Sequence, residues 1–380
     1  MGCGDGRLCW RGSVSVNAMG SDFFALAQRT ALRQGGCVSS TAIVSASDEN
    51  YKDAVQAAVA QLRAGEVVAL PTETVYGLAG NAFDAQAVAK IFSAKERPSF
   101  DPLIVHVATR ADLSRVAIIP EEIQATVDKL LNAFWPGPLT LVLPKHPDVP
   151  DLVTSGLDTV AVRQSASKIF RAIGKELGEP LAAPSANRFG RISPTSAAAV
   201  QQELDGRIPL IVDGGACSEG LESTIIHITA GEKRPTITIL RPGPITKEML
   251  QNFGKVERPK RVRDGSAPTA PGMLPSHYAP RTPLILLEDP SDFRPELGKK
   301  YGLLSYTGEP GKGYVSLHRW AAVEALSPGN GKLPEAALRL FHLLRKLDAA
   351  GLDVIVAEPV SEVGLGVAVM DRLRRAATAL

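Results

Sequence analysis

"DAQAVAKIFSAKERPSFDPLIVHV", residues 84–107, contains a helix, a polar join and a strand in one line. Val88, Ile91 and Phe92 recur at helical spacing, so the pattern predicts a helix over 85–95, with the Asp84 carboxylate placed to cap it. Lys95, Glu96, Arg97 and Pro98 end that helix. After Asp101-Pro102 an apolar run leads to His106 and reads as a buried strand. Helix followed by strand is the unit of an α/β sheet, and here two cations sit at the join.

The same alternation extends through residues 48–245. "DAVQAAVAQLRAG" puts Val55, Ala58, Val59 and Leu62 on one helical face, with Gly65 as its stop. "PEEIQATVDKLLNAFW" predicts a second amphipathic helix with proline near its first turn. "EVVALPT", "LTLVLP", "TVAVR", "LAAPS" and "PLIVDGG" read as short strands, and "STIIHIT" with "TITIL" as a hairpin around Gly-Glu-Lys-Arg-Pro. Such a mixture implies a mixed sheet. Residues 246–281 are rich in Pro, Gly and charge after a short helix, which is linker composition, and are expected to serve as a linker or lid. Residues 282–380 resume the alternation with three strands, predicting a small Rossmann-like parallel-sheet domain. It has no GxGxxG after its first strand, so a dinucleotide site there is unsupported.

With 380 residues the chain has ample length for two cores. Apolar residues make up 44% and charged ones 22%, as in soluble globular proteins. A net charge of +2 gives no argument for nucleic acid or an anionic membrane, and no apolar run approaches the ~18 residues of a membrane span. Cys3, Cys9, Cys37 and Cys217 form neither a disulfide framework nor a metal-ligand spacing, so no metal site is expected. Residues 1–47 lack sustained periodicity and read as a disordered extension or an early start codon. Their arginines with few acids also suit an organelle transit peptide, the less favoured reading.

The chemistry gathers at the strand ends of the first domain. "PTETVYGL" brings Thr72 and Thr74, "TVAVR" brings Arg163, and "PSAN" brings Ser185 and Asn187. "RISPT" adds Ser193, "ESTI" adds Ser223, and "LRPGP" adds Arg241. Open sheets bind ligands beyond strand ends. Lys95, Arg97, Arg163 and Arg241 together suit a ligand carrying several negative charges. Singly, each feature has a structural explanation: cations complement a helix C-terminus, and Ser or Thr beside Pro makes turns. On spacing alone the reading stops at a polyanion-binding α/β enzyme.

Taken in order, PTETVYGL, AKERP…DPLIVHV, WPGPLTLVL, GLDTVAVR, APSAN…SPT, VDGG…GLESTI and LRPGPI resemble the threonylcarbamoyl-AMP synthase family, the YrdC-like domain. "APGMLPSHYAP" and the C-terminal domain resemble its longer, two-domain type. The resemblance implies a twisted mixed sheet with a concave basic cleft. It implies condensation of L-threonine, bicarbonate or CO2, and ATP into threonylcarbamoyl-AMP and pyrophosphate, with Mg2+ accompanying ATP. It further implies a cytoplasmic enzyme and a downstream transferase complex that modifies tRNA next to the anticodon. Thr74, His106, Arg163, Ala183 (through its backbone) and Ser223 match positions around threonine. Arg97, Asp101, Thr159, Ser185, Ser193 and Arg241 match positions around ATP, joined by Lys95 and Asn187. Lys95 and Arg97 are expected to act on the phosphates without contributing to a core, so that alanine at either leaves folding intact. Two other classes share these features: a module binding double-stranded RNA or tRNA by its phosphates, and a carbamoyl-transfer domain. Two places depart from the family pattern. The run Arg163-Gln-Ser-Ala-Ser167 lacks the proline and histidine often found there. In the linker, the place of a nucleotide-reaching aromatic falls near Pro275, with His277 and Tyr278 beside it.

Overall fold

The computed structural model describes residues 40–258, 277–310 and 313–378. An eleven-stranded sheet occupies the first part. Its strands are β1 (Ala42–Ser45), β2 (Val68–Leu70), β3 (Gly77–Asn81), β4 (Ile104–His106), β5 (Leu139–Pro144), β6 (Thr159–Arg163), β7 (Leu181–Ala182), β8 (Leu210–Asp213), β9 (Thr224–Thr229), β10 (Thr236–Arg241) and β11 (Lys255–Glu257). They lie in the order β1-β8-β2-β3-β7-β4-β6-β5-β9-β10-β11, with parallel and antiparallel pairs mixed. The longer helices are α1 (Tyr51–Arg63), α2 (Ala85–Lys95), α3 (Glu121–Phe134), α4 (Lys168–Leu177) and α5 (Ala197–Leu204).

The period of two along β2 separates two cores. Val68 and Leu70 pack with Val55, Val59 and Leu62 of α1 and with Ile169 and Ile173 of α4. Ala69 faces the other way, into the cluster that holds Val88 and Ile91 of α2 and Val127 and Leu130 of α3. The Asp84 carboxylate caps α2, accepting from the amides of Gln86 at 2.8 Å and Ala87 at 3.3 Å. Glu96 closes the helix in the left-handed conformation, which turns the chain so that Arg97 points back toward the sheet's strand ends.

β9 and β10 form the expected antiparallel hairpin. Three strands fall where none was expected, one of them β3, which pairs antiparallel with β2 and β7. Residues 42–45, read as part of the extension, pair in parallel with β8, and residues 255–257, read as linker, pair in parallel with β10. The remaining residues of those stretches, 1–39 and 259–276 with the Pro275 position, lie outside the described residues.

The C-terminal sheet is parallel throughout, in the order β12-β15-β13-β14, with β12 (Leu284–Leu286), β13 (Tyr301–Ser305), β14 (Ala322–Ala325) and β15 (Val354–Ala357). It therefore has a fourth strand beyond the three expected. Helices α6 (Leu333–Asp348) and α7 (Gly366–Ala377) accompany it. Its core continues into the first domain: Val75, Ile192 and Leu221 share one apolar cluster with Leu340, Phe341 and Leu373. At Gly220 (φ +75°) an added Cβ would stand 2.4 Å from Leu338 Cα of α6, so only glycine admits this approach. Arg345 of α6 pairs with Glu203 of α5 at 3.0 Å.

Candidate active site

Parallel pairing of β4 with β6 sets His106 opposite Arg163, side by side at the ends of their strands. The turn between β2 and β3 brings Thr72 and Thr74 to the same place, the segment after β7 brings Ala183 and Ser185, and the end of β10 brings Arg241 beside Ser223. With Arg97, Glu222, His277 and Tyr278 these residues line one cavity.

Arg163 is only 3% exposed and is held from three sides. Its Nη1 donates to Thr74 Oγ1 at 2.9 Å, its Nε to the Gly137 carbonyl at 3.2 Å, and its Nη2 lies 2.6 Å from Glu73 Oε1. Ser165 donates to the other Glu73 oxygen at 2.5 Å. Burial alone would raise the Glu73 carboxyl, but Arg163 and the Ser165 hydroxyl outweigh it and hold the group down at about 2. His106 is pushed down to about 3, first by burial and then by Arg163, so its imidazole is neutral. Ala183 donates its amide to the Ile104 carbonyl at 2.9 Å, so what it offers a ligand is its own carbonyl.

On the other side, Arg97 (9% exposed) pairs with Asp101 at 2.8 Å and donates to the carbonyls of Asp101 and Pro102. Arg241 (4% exposed) donates from Nη2 to the Ser223 carbonyl at 3.0 Å and hydroxyl at 3.1 Å. Ser223 also shares a 2.7 Å hydrogen bond with Thr140. Gly243 lets the turn after β10 lie on the 222–224 segment: a Cβ there would be 2.5 Å from the Thr224 nitrogen and 2.6 Å from the Glu222 oxygen. His277 and Tyr278 also line the cavity, their ring centres 4.3 Å apart, and His277 Nδ1 and the Tyr278 hydroxyl are buried without hydrogen-bond partners among the described residues. Burial, then the cations Arg97 and Lys95, keep His277 neutral as well.

Of the thirteen residues named from sequence, Thr74, Arg97, His106, Arg163, Ala183, Ser185, Ser223 and Arg241 line the cavity. The other five stand elsewhere. Lys95, at 1% exposure, lies behind the wall, donating its ammonium to the carbonyls of Ser185 and Asn187. It ties the "PSAN" segment to α2, and burial followed by Arg97 pushes its pKa well below the ordinary lysine range. The expectation that Lys95 and Arg97 contribute nothing to a core is therefore corrected: both are buried and engaged with backbone carbonyls. Asp101 positions Arg97. Asn187 spans its own turn, donating to the carbonyls of Arg188 at 2.7 Å and Arg191 at 2.9 Å. Ser193 donates to Glu222. Thr159 starts β6, at the opposite end from Arg163 and roughly 13 Å away along the strand. Glu73 and Glu222 were missed, although both lie within stretches singled out for their hydroxyls. An acid flanking a buried hydroxyl beside buried arginines was the available signal.

The fold and cavity define an α/β enzyme whose strand ends present buried arginines, hydroxyls and neutral histidines to an anionic ligand. Residues 60–243 match a family model described as telomere recombination, and residues 245–378 match one described as threonylcarbamoyl-AMP synthase, C-terminal domain. The threonylcarbamoyl-AMP synthase of Pyrococcus abyssi is 42% identical over 342 residues, covering 88% of this chain and 97% of the relative. That of Bacillus subtilis is 41% identical, covering 84% and 92%. The structure of P. abyssi Sua5 complexed with L-threonine superposes with a TM-score of 0.74 at 40% identity, covering 88% of this chain and 97% of that one. A doubly alanine-substituted form of the same P. abyssi protein gives 0.75 at 39% identity, covering 89% and 96%. The chain belongs to the threonylcarbamoyl-AMP synthase family, enzymes of nucleotidyl transfer.

Proposed function

We propose that this cavity condenses L-threonine, bicarbonate or CO2, and ATP into threonylcarbamoyl-AMP and pyrophosphate. The observation that carries it is one cavity lined by buried arginines, hydroxyls and a neutral histidine. We assign Thr74, Arg163, Ser223, neutral His106 and the Ala183 carbonyl to one end, and Arg97, Ser185 and Arg241 to the other. The first end suits an amino acid: Arg163 for the carboxylate, the carbonyl for the amine, hydroxyls for the side-chain hydroxyl. The L-threonine complex of the P. abyssi relative supports this. The second end suits phosphates. The threonine nitrogen takes up CO2 as a carbamate. A carbamate oxygen then attacks the α-phosphorus, and the bond to pyrophosphate breaks. The chain's part is alignment of the two anions and neutralisation of developing charge. His106 holds the amino acid and is given no proton to move.

The residues present fit an Mg2+ that keeps its ligands among phosphate oxygens and water. Glu73 and Glu222 are paired with Arg163 and Arg372, and no cluster of three His, Cys, Asp or Glu able to hold a metal occurs among the described residues. The ion would supply charge neutralisation on the phosphates. The four cations that suggested an RNA face are buried, which disfavours contact with a duplex through them. We infer that the product passes to a tRNA-modifying transferase complex in the cytoplasm. No helix among the described residues is long and apolar enough to cross a membrane. Incubation with ATP, labelled bicarbonate and each amino acid in turn tests the reaction. A labelled acyl-adenylate and pyrophosphate with threonine are expected. ATP turnover independent of amino acid and bicarbonate would reject the reading.

A further inference from the structure

Arg372 belongs to α7 in the C-terminal domain, is fully buried, and spends most of its hydrogen bonds on the other domain. Its Nε and Nη2 each donate to Glu222 Oε2 at 3.1 Å. Its Nη1 donates to the Pro242 carbonyl at 2.6 Å and to Asp371 at 3.1 Å. Its guanidinium carbon stands 5.3 Å from the centre of the Tyr278 ring. The second Glu222 oxygen accepts the Ser193 hydroxyl, and Pro242 follows Arg241 directly. Glu222, Arg241 and Tyr278 all line the cavity. One guanidinium thus ties together three parts of its wall.

We propose that Arg372 is a positioning residue through which the C-terminal domain sets the nucleotide end of the cavity, an inference that rests on the reading of that cavity given above. Two observations separate this from simple adhesion between domains. Adhesion is supplied elsewhere, by the shared apolar cluster and by Arg345 with Glu203. A buried ion pair is also a poor source of stability compared with apolar packing of the same volume, whereas its fixed fork is a good source of geometry. The anchors of the amino-acid end have their own support, since Arg163 and Thr74 are held by Glu73 and Gly137 without any residue of α7, and only Ser223 stands next to Glu222. Loss of Arg372 therefore bears on ATP far more than on threonine.

The test is calorimetric titration of the full chain with ATP and, separately, with L-threonine, in wild type, Arg372→Met, Glu222→Gln and the double variant, with the melting temperature of each. Arg372→Met is expected to weaken ATP about tenfold and threonine less than twofold. In the Glu222→Gln background the same replacement is expected to add less than threefold, because residue 222 then carries no charge to be held. If Arg372→Met does not fold, Arg372→Lys, which keeps the charge but loses the paired N–H bonds, must give the same split between the ligands. Arg345→Met serves as the adhesion control, with a lower melting temperature and unchanged ATP affinity. Wild-type ATP affinity in folded Arg372 variants, equal losses for both ligands, or full additivity with Glu222→Gln would each overturn the proposal. A wild type that binds neither ligand would instead remove the cavity reading on which it stands.

Discussion

Arg163, Glu73, His106 and His277 shape the site's behaviour in acid. Glu73 is held at about 2 against an ordinary 4.5, and His106 at about 3 against 6.5. Both are depressed on folding, so the unfolded chain binds their protons first, and stability falls as pH falls. The loss begins below 6.5 through His106 and His277 and is joined by Glu73 below 4.5, continuing for His106 toward about 3 and for Glu73 toward about 2. Urea midpoints between pH 7 and pH 3 should therefore fall more steeply for the wild type than for His106→Gln, and equal slopes would place the neutral imidazole in doubt. Lys95→Ala should cost about 3 kcal/mol or more in denaturant titration, since it opens a cavity and strips two buried carbonyls of their donor. A change below about 0.5 kcal/mol would return Lys95 to the role outside the core first expected of it. The amino-acid end carries hydroxyl partners, so substrates should rank threonine, serine, valine. Loss of the methyl costs roughly 10–200-fold, and loss of the hydroxyl, which strands buried polar groups, about 10⁴-fold. Competition at equal concentrations, with each acyl-adenylate read by mass, checks the order, and valine ahead of serine would dissolve the grouping of Thr74, Arg163, His106 and Ser223 around the amino acid.

Among elements, the turn after β10 is the most exacting. Gly243→Ala would drive a methyl into the 222–224 backbone, so the turn must lift and take Arg241 with it. A lower melting temperature together with weaker ATP binding is expected, and wild-type ATP affinity in the folded variant would separate the turn from the site. Elements with strong periodicity are legible in the sequence: α1, α2 and α3, the apolar runs of β4, β5 and β6, and the β9–β10 hairpin. β3 is not, because "GLAGN" carries two glycines and an asparagine, poor strand formers that only its flanking partners β2 and β7 hold extended. β14 is an edge strand with Glu324 reaching out to Lys346, so its pattern lacks a buried face. In the site, hydroxyls and cations at strand ends are legible because short motifs carry them. The direction each side chain takes is not, and Lys95, Asn187 and Thr159 stand away from the cavity for that reason. Arg372 gives no signal at all: its partner Glu222 lies 150 positions earlier, and three arginines close together in an amphipathic helix read as a solvated face.

At the scale of the whole molecule, the two sheets are separate in hydrogen bonding but not in packing. Val75, Ile192 and Leu221 of the first have their neighbours in α6 and α7, and Gly220 admits no side chain between them. A chain ending near residue 245 would expose those three residues, leave Glu222 buried without Arg372 and leave Glu203 with Arg188 alone. It should aggregate or melt at least about 10 °C lower, by loss of burial and of charge pairing. The shared cluster also has a consequence for how the protein comes apart. Domains with private cores melt as separate heat-absorption peaks. Here neither can open without stripping apolar surface from the other, so scanning calorimetry of the full chain should record a single cooperative transition whose van't Hoff and calorimetric enthalpies agree. What sequence composition divides into two modules is, on this arrangement, one unit of unfolding.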